Sequence, residues 1–185
     1  MRPTKPRLLP LPAGEIPEEL LRYTGSRPGE PVLNIYATLA RHPKLAKRWL
    51  VFGAHVLGKS ALPPRERELV ILRTGFRCQS EYEWGQHVRI GKAAGLSDEE
   101  IKRIAKGPDA PGWSERDTAL LRASDELHDD CCITDATWQA LGQWYGEQAL
   151  LDLIFAIGQY RLVCMALNSL GIQREPGVPG FAETL

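Results

Sequence analysis

The chain has 185 residues, 43% of them hydrophobic and 25% charged, enough for one globular domain that buries about 70% of its unfolded surface. Its 23 basic and 23 acidic side chains cancel and form no long block of like charge, which excludes a nucleic-acid footprint and a polybasic membrane anchor. A small molecule is the partner left. Cys78, Cys131, Cys132 and Cys164 have neither zinc-site spacing nor the density of a disulfide scaffold, so the expected compartment is the reducing cytoplasm. The N-terminal MRPTKPRLLPLPAGEIP lacks the apolar core of a signal peptide, roughly 7 to 15 residues, and no run reaches the roughly 18 apolar residues of a membrane helix.

In chain order, Pro3, Pro6, Pro10, Pro12, Pro17 and Pro28 preclude a long helix at the start. They predict an extended arm over 1–30 with at most one turn at Glu18 to Tyr23, followed by a single helical domain over 31–185. Helical signals run from Val32 to Ala40, from Pro43 to Leu57, and from Pro64 to about Thr74 behind Pro63. Gly75 allows a break, and a helix from Ser80 to Ala94 ends at Gly95. Ser97-x-x-Glu100 is a capping box for a short helix to about Lys106. Gly107 to Gly112 reads as a linker that divides an active-site half from a second helical half.

Ser114 with Asp117 opens a helix to about His128, Asp129 to Cys132 form a turn, and Thr134 opens a helix with Trp138, Leu141 and Trp144. Glu147 to Leu170 is a long, largely apolar helix interrupted by Asp152. Leu151, Ile154, Phe155 and Leu162 are expected on its core face, with Gly158 among them to let another helix approach. Gln159, Tyr160 and Asn168 put polar groups on that helix, and any that are buried need partners. No strand-like alternation of useful length occurs, so the expected fold class is all-α.

Chemistry concentrates in ELVILRTGFRCQSEYEWGQH, Glu68 to His87. On a helix starting near Ser80, Glu83, Trp84, His87 and Gly91 share one arc, while Glu81, Arg89 and Lys92 lie opposite. Glu83 and His87 are i, i+4 neighbours, and the carboxylate of Glu68 points into the company of Ile71, Leu72 and Gly75. A carboxylate that holds an imidazole fixes its tautomer and favours its protonated form, which is an acid able to return a proton to a substrate. Ser80-x-x-Glu83 is equally a capping box, in which both side chains would satisfy backbone N–H groups; a Glu83 folded back in that way is less available to His87.

The spacing Glu68-x11-Ser80-x2-Glu83-x3-His87 resembles the active-site pattern of the carboxymuconolactone decarboxylase and AhpD-like superfamily, whose thiol peroxidases carry Glu-x11-Cys-x2-Cys-x3-His. The similarity runs from about Pro43 to Ile172, and the segments LSDEEI, ELHDD, DATW, DLIFAIGQY and LNSLGI resemble the longer decarboxylase-type members. The resemblance implies an AhpD-like helical fold, often built of repeated helical halves, and a homo-oligomer with active sites near subunit contacts. Ser80 and Glu83 stand where the peroxidases have cysteines. Ser80 cannot attack a peroxide as a thiolate and Glu83 cannot resolve a disulfide, while Cys78 lies outside the pattern, so CxxC-type peroxidase activity is not expected.

The expected function is that of a carboxymuconolactone decarboxylase-like lyase acting without metal or organic cofactor. Its substrate would be a small unsaturated carboxylic acid or lactone of aromatic compound catabolism. Glu68, Glu83, His87 and Ser80 are the catalytic candidates. Tyr82 and Trp84 could shape a pocket, and Arg73 and Arg77 could receive a substrate carboxylate. Isomerisation, lactone or ester hydrolysis, and ligand binding without catalysis are the alternatives. His42, His55 and His128 are read as structural, His128 at a helix C-terminus where a cation is favoured.

Overall fold

Pro63 and Pro64 set the start of the helix on which the second half of the chain is built: Pro64 occupies its first turn, where a missing N–H costs nothing. The computed structural model describes residues 2–185 and is all-helical, with no strand among those residues. The helices are α1 Glu18–Thr24, α2 Asn34–Leu39, α3 Pro43–Gly58, α4 Pro64–Arg77, α5 Glu81–Ala93, α6 Asp98–Lys106, α7 Glu115–Asp129, α8 Asp135–Gly142, α9 Glu147–Leu170 and α10 Phe181–Thr184. The chain forms two compact units, one of residues 1–59 with 166–177, the other of residues 60–165 with 178–185.

In the first unit the proline-rich start is part of a core. Ile16, Leu20 and Leu21 pack with Ala37, Ala46 and Leu50, and α1 and α2 both lie on α3. Backbone and side-chain hydrogen bonds tie the extended residues down: the Arg7 N–H donates to Leu170 O at 2.8 Å, Leu11 N–H to Ala37 O at 3.1 Å, and Arg41 Nε to Leu9 O at 2.6 Å. Residues on both sides of position 30 thus share one apolar cluster. Pro17 starts α1 and Gly25, at φ 72°, ends it in the left-handed region.

In the second unit α4 is the central helix, in contact with α5, α6 and α7, and every residue from Glu66 to Gly75 is buried. Four of those ten are charged (Glu66, Arg67, Glu68 and Arg73), so each has to find a partner inside the protein. Leu69, Val70, Leu72, Trp84, Val88, Ile104, Leu120, Leu121, Leu141, Leu153 and Ile157 make the surrounding apolar core. Gly107 to Gly112 is a turn within this unit rather than a divider. Trp113 Nε1 donates to Gly107 O at 3.1 Å, and Arg103 Nη1 to Gly112 O at 2.9 Å.

Gly75 does not end α4, which runs on to Arg77; the chain reverses at Gln79, held at φ 51°. Gly75 lies against Glu83 at a distance where a Cβ would make ordinary contact, whereas Gly91 serves close packing. A Cβ on Gly75 would lie 3.6 Å from Glu83 Cγ, and one on Gly91 would lie 3.0 Å from Leu96 Cδ1 and 3.7 Å from Glu68 Cβ. At Gly85 a Cβ would meet Pro179 O at 2.2 Å, so the C-terminal segment crosses α5 only because that position is glycine.

The expected core face of α9 is corrected. Leu151, Phe155 and Leu162 are each more than half exposed, and Gly158 has open space beside it. The buried side consists of Leu150, Leu153, Ala156, Ile157, Tyr160, Val163, Cys164 and Leu167. A helix that is apolar almost all round has no contrast for periodicity to read, so packing rather than pattern selects the inward face. By length and composition α9 could cross a membrane, but half of its most apolar window is buried within the fold, as in a core helix.

Candidate active site

The turn at Gln79 sends α5 back along α4 and brings Glu68, Glu83 and His87 together. The ring of His87 is held on both sides. Its Nδ1 lies 2.6 Å from Glu68 Oε2, and its Nε2 lies 2.9 Å from Glu83 Oε1. The two contacts differ in kind. The first is a hydrogen bond, whereas Glu83 Oε1 has no aligned donor despite the short separation. The second N–H is thus close to a carboxylate without being committed to it.

All three residues are buried, with Glu68 at 0% exposure. Burial is the largest influence on His87 and works against its charge, but the nearby charges of Glu83 and Glu68, with the hydrogen bond to Glu68, outweigh it and raise the imidazole from 6.5 to about 10. At neutral pH it is an imidazolium. The other oxygen of Glu68 accepts from Arg67 Nε at 3.2 Å, so the charges alternate along Arg67, Glu68, His87 and Glu83. Tyr160 stands edge-on to the imidazole, with ring centroids 4.8 Å apart, and limits its tilt.

The capping box at Ser80 is not formed. Ser80 is the N-cap of α5 but its hydroxyl accepts no backbone N–H, and its buried Oγ has no well-formed hydrogen bond. The Ser97–Glu100 box, by contrast, is complete. Glu83 is consequently available to His87 rather than folded back onto the helix start.

The remaining candidates fall elsewhere. Trp84 is fully buried against Phe76 and Phe181, and its Nε1 donates to Thr184 Oγ1 at 2.8 Å. Tyr82 is buried on α5. Arg73 grips Asp125 with Nε and Nη2 at 2.7 and 2.8 Å and gives Nη1 to the carbonyls of Ile104 and Ala105. Arg77 pairs with Asp129 and Asp125. The structure therefore gives both guanidinium groups to α6 and α7 and brings neither to His87. His42 caps α3 by accepting from Leu45 N–H, and His55 is exposed.

Two neighbours were not singled out by sequence. Arg67 shares a helix face with Val70 and Thr74 on a buried helix, and that spacing is the signal in the sequence that points it inward. Cys164 is buried on α9 within hydrogen-bonding reach of Cys78 and Ser80. Its thiol is pushed well above the ordinary range by Cys78, by burial and by the charge of Glu83. Cys78 Sγ lies 3.9 Å from His128 Nδ1, and burial with the charges of Arg77 and Arg161 lowers that histidine below its ordinary range. Cys131 and Cys132 are exposed, and no disulfide is formed among the described residues.

Residues 43–126 match the carboxymuconolactone decarboxylase family model. Solved structures share the fold over nearly the whole chain. A peroxidase-related protein from Silicibacter sp. TM1040 superposes with a TM-score of 0.79 at 15% identity, covering 96% of each chain. A peroxidase-related protein with an alkylhydroperoxidase AhpD core, from Ralstonia eutropha JMP134, gives 0.77 at 17%, covering 95% of each. The debrominase Bmp8, as a single-residue variant in complex with 2,3,4-tribromopyrrole, gives 0.76 at 13%, covering 93% of each. No match was found among curated proteins. Residues 43–126, somewhat under half of the chain, thus carry the likeness to that family, and the solved structures show an AhpD-like helical fold over nearly the whole chain.

The raised imidazole has a signed consequence. Its stabilising contribution is fully present below about pH 6.5 and is lost as the pH rises through about 10. Nitrogen-detected NMR of His87 should show a charged ring across neutral pH with a midpoint near 10. Glu68→Gln should lower that midpoint and, by breaking a buried pair, cost about 3–5 kcal/mol in denaturant unfolding. A neutral ring at pH 7 in the wild-type protein would contradict the assignment.

Proposed function

We propose that this protein is a cytoplasmic, cofactor-independent acid/base enzyme that decarboxylates a small unsaturated carboxylic acid or lactone, such as an aromatic ring-cleavage product. The observation that supports the reading is the buried imidazolium between two unlike contacts. Glu68 fixes Nδ1 and the tautomer, which leaves the Nε2 proton as the one to transfer.

In the proposed step the bond from carbon to the substrate carboxylate breaks and carbon dioxide departs. The electron pair enters the conjugated system as an enolate, and Nε2 of His87 delivers a proton to carbon. Glu83, 2.9 Å from that nitrogen, is placed to pass a replacement proton back. The unpartnered buried oxygens of Ser80 and Glu83 favour a ligand that completes their hydrogen bonding. Ser80 as a nucleophile for hydrolysis lacks support, since no base is hydrogen-bonded to its Oγ.

A homo-oligomer is part of the proposal. Leu151, Phe155, Leu162 and Met165, all more than half exposed, recur at alternating four- and three-residue steps through Gly158 along α9, the spacing of a helix-packing seam. Sedimentation as a monomer at micromolar concentration would remove that part.

The function is tested by mass spectrometry of products from a panel of unsaturated di- and tricarboxylic acids and their lactones. Loss of the mass of carbon dioxide is expected, with turnover reduced roughly 10²- to 10⁴-fold in His87→Ala protein whose helical circular dichroism shows it folded at the assay temperature. An isomeric or hydrated product would retain the site and replace the reaction. Conversion unaffected by His87→Ala would remove the mechanism.

A further inference from the structure

Arg67 is a buried charge that the proposed chemistry does not yet use. It is only 9% exposed, and Glu68 is its one partner among the described residues, through Nε at 3.2 Å. A guanidinium carries five N–H donors in a fixed planar fork. One is used here, and the four hydrogens on the two Nη atoms have no protein acceptor.

The other buried arginine of α4 shows what a structural guanidinium looks like in this fold. Arg73, 6% exposed, satisfies its fork with both oxygens of Asp125 and two backbone carbonyls. Arg65, less buried, is likewise taken by Asp117 and Glu100. Leaving a buried guanidinium largely unpaired is costly unless something else pairs with it. Its Nη atoms are not among the sealed and unpartnered atoms of the protein, so they remain open to an incoming group.

Charge fixes what that group is. Arg67, Glu68, His87 and Glu83 sum to zero, but the ends differ: Glu83 closes the chain with a negative charge and Arg67 with a positive one. An anion is repelled at the Glu83 end and attracted at the Arg67 end. The two cations sit on the two oxygens of one carboxylate, so Glu68 links the guanidinium to the imidazole.

We propose that Arg67, with its open Nη donors next to the Glu68–His87 pair, is the residue that grips a carboxylate of the ligand. This deepens the acid/base reading and rests on it for the ligand class. From sequence that task fell to Arg73 and Arg77, whose forks are taken up by Asp125, Asp129 and two carbonyls. Planar, two-pronged binding is what an arginine fork offers a carboxylate and a lysine does not.

The test is equilibrium binding by calorimetry, independent of turnover, with maleate and its uncharged diamide as paired probes and a series of mono-, di- and tricarboxylates beside them. The wild-type protein should bind carboxylates in preference to the diamide. Arg67→Gln should lower maleate affinity by roughly tenfold or more, leave the diamide unchanged and so abolish the preference. Arg67→Lys, which also serves if Arg67→Gln does not fold, should weaken maleate while retaining some preference for charge.

Unchanged maleate affinity in a folded Arg67→Gln protein overturns the proposal, as does a wild-type protein with no preference for any carboxylate over its amide. If Arg67 merely positioned Glu68, its loss would shift the His87 titration and leave the maleate-to-diamide ratio intact, which also overturns it. Arg67-dependent carboxylate binding without turnover of any substrate would uphold the anchor and defeat the enzymatic reading. Turnover that survives Arg67→Gln undiminished would do the reverse.

Discussion

Glu68 is a carboxylate with no solvent exposure on a helix buried from Glu66 to Gly75, and the architecture around it follows from the need to pair it. Its two oxygens take Arg67 from the same helix and His87 from the next. That second contact fixes the register of α5 on α4, and the missing side chain of Gly91 leaves room for Leu72 between the two helices. The apolar cluster that includes Trp84, Val88 and Leu72 supplies favourable burial around the pair. The ion pair adds specificity of register, since a buried pair is costly to break and weak as a net stabiliser.

The same constraint prepares a proton. An imidazole caught between carboxylates stays charged where a solvated one would be losing its proton, and burial alone would have had the opposite effect. Because one contact is aligned and the other is not, the two ring nitrogens are inequivalent. One end of the chain of charges is an open guanidinium and the other a carboxylate oxygen lacking an aligned donor. Their positions mark where the protein alone does not complete its own hydrogen bonding, whereas Arg73, Arg65 and Glu66 on the same helix are fully engaged with neighbours.

Helix boundaries were readable in the sequence because proline, glycine and capping hydroxyls act locally. Ser97, Ser114 and Thr134 each cap the helix expected of them. The meeting of Glu83 with His87 was readable for the same reason, being a matter of helical repeat. Glu68 was legible as a carboxylate among apolar neighbours, but which carboxylate would face His87 was not, since nineteen residues and a turn separate Glu68 from it. Three features could not be read. The inward face of α9 depends on what packs against a nearly uniform apolar surface. The failure of the Ser80 capping box depends on competition for Glu83. The fate of Arg73 and Arg77 depends on Asp125 and Asp129, roughly fifty residues away in sequence and brought close only by the packing of α7 on α4.

The central claim is that His87 delivers its Nε2 proton to carbon. Turnover in deuterated water measures this most directly, with the position and handedness of the label in the product read by NMR. A single deuterium is expected at the carbon that lost carbon dioxide, on one face only. His87→Ala should lose both the rate and the facial preference, and Ser80→Ala should keep both. Product labelled equally on both faces by the wild-type protein, or on one face by His87→Ala at an unchanged rate, would contradict it.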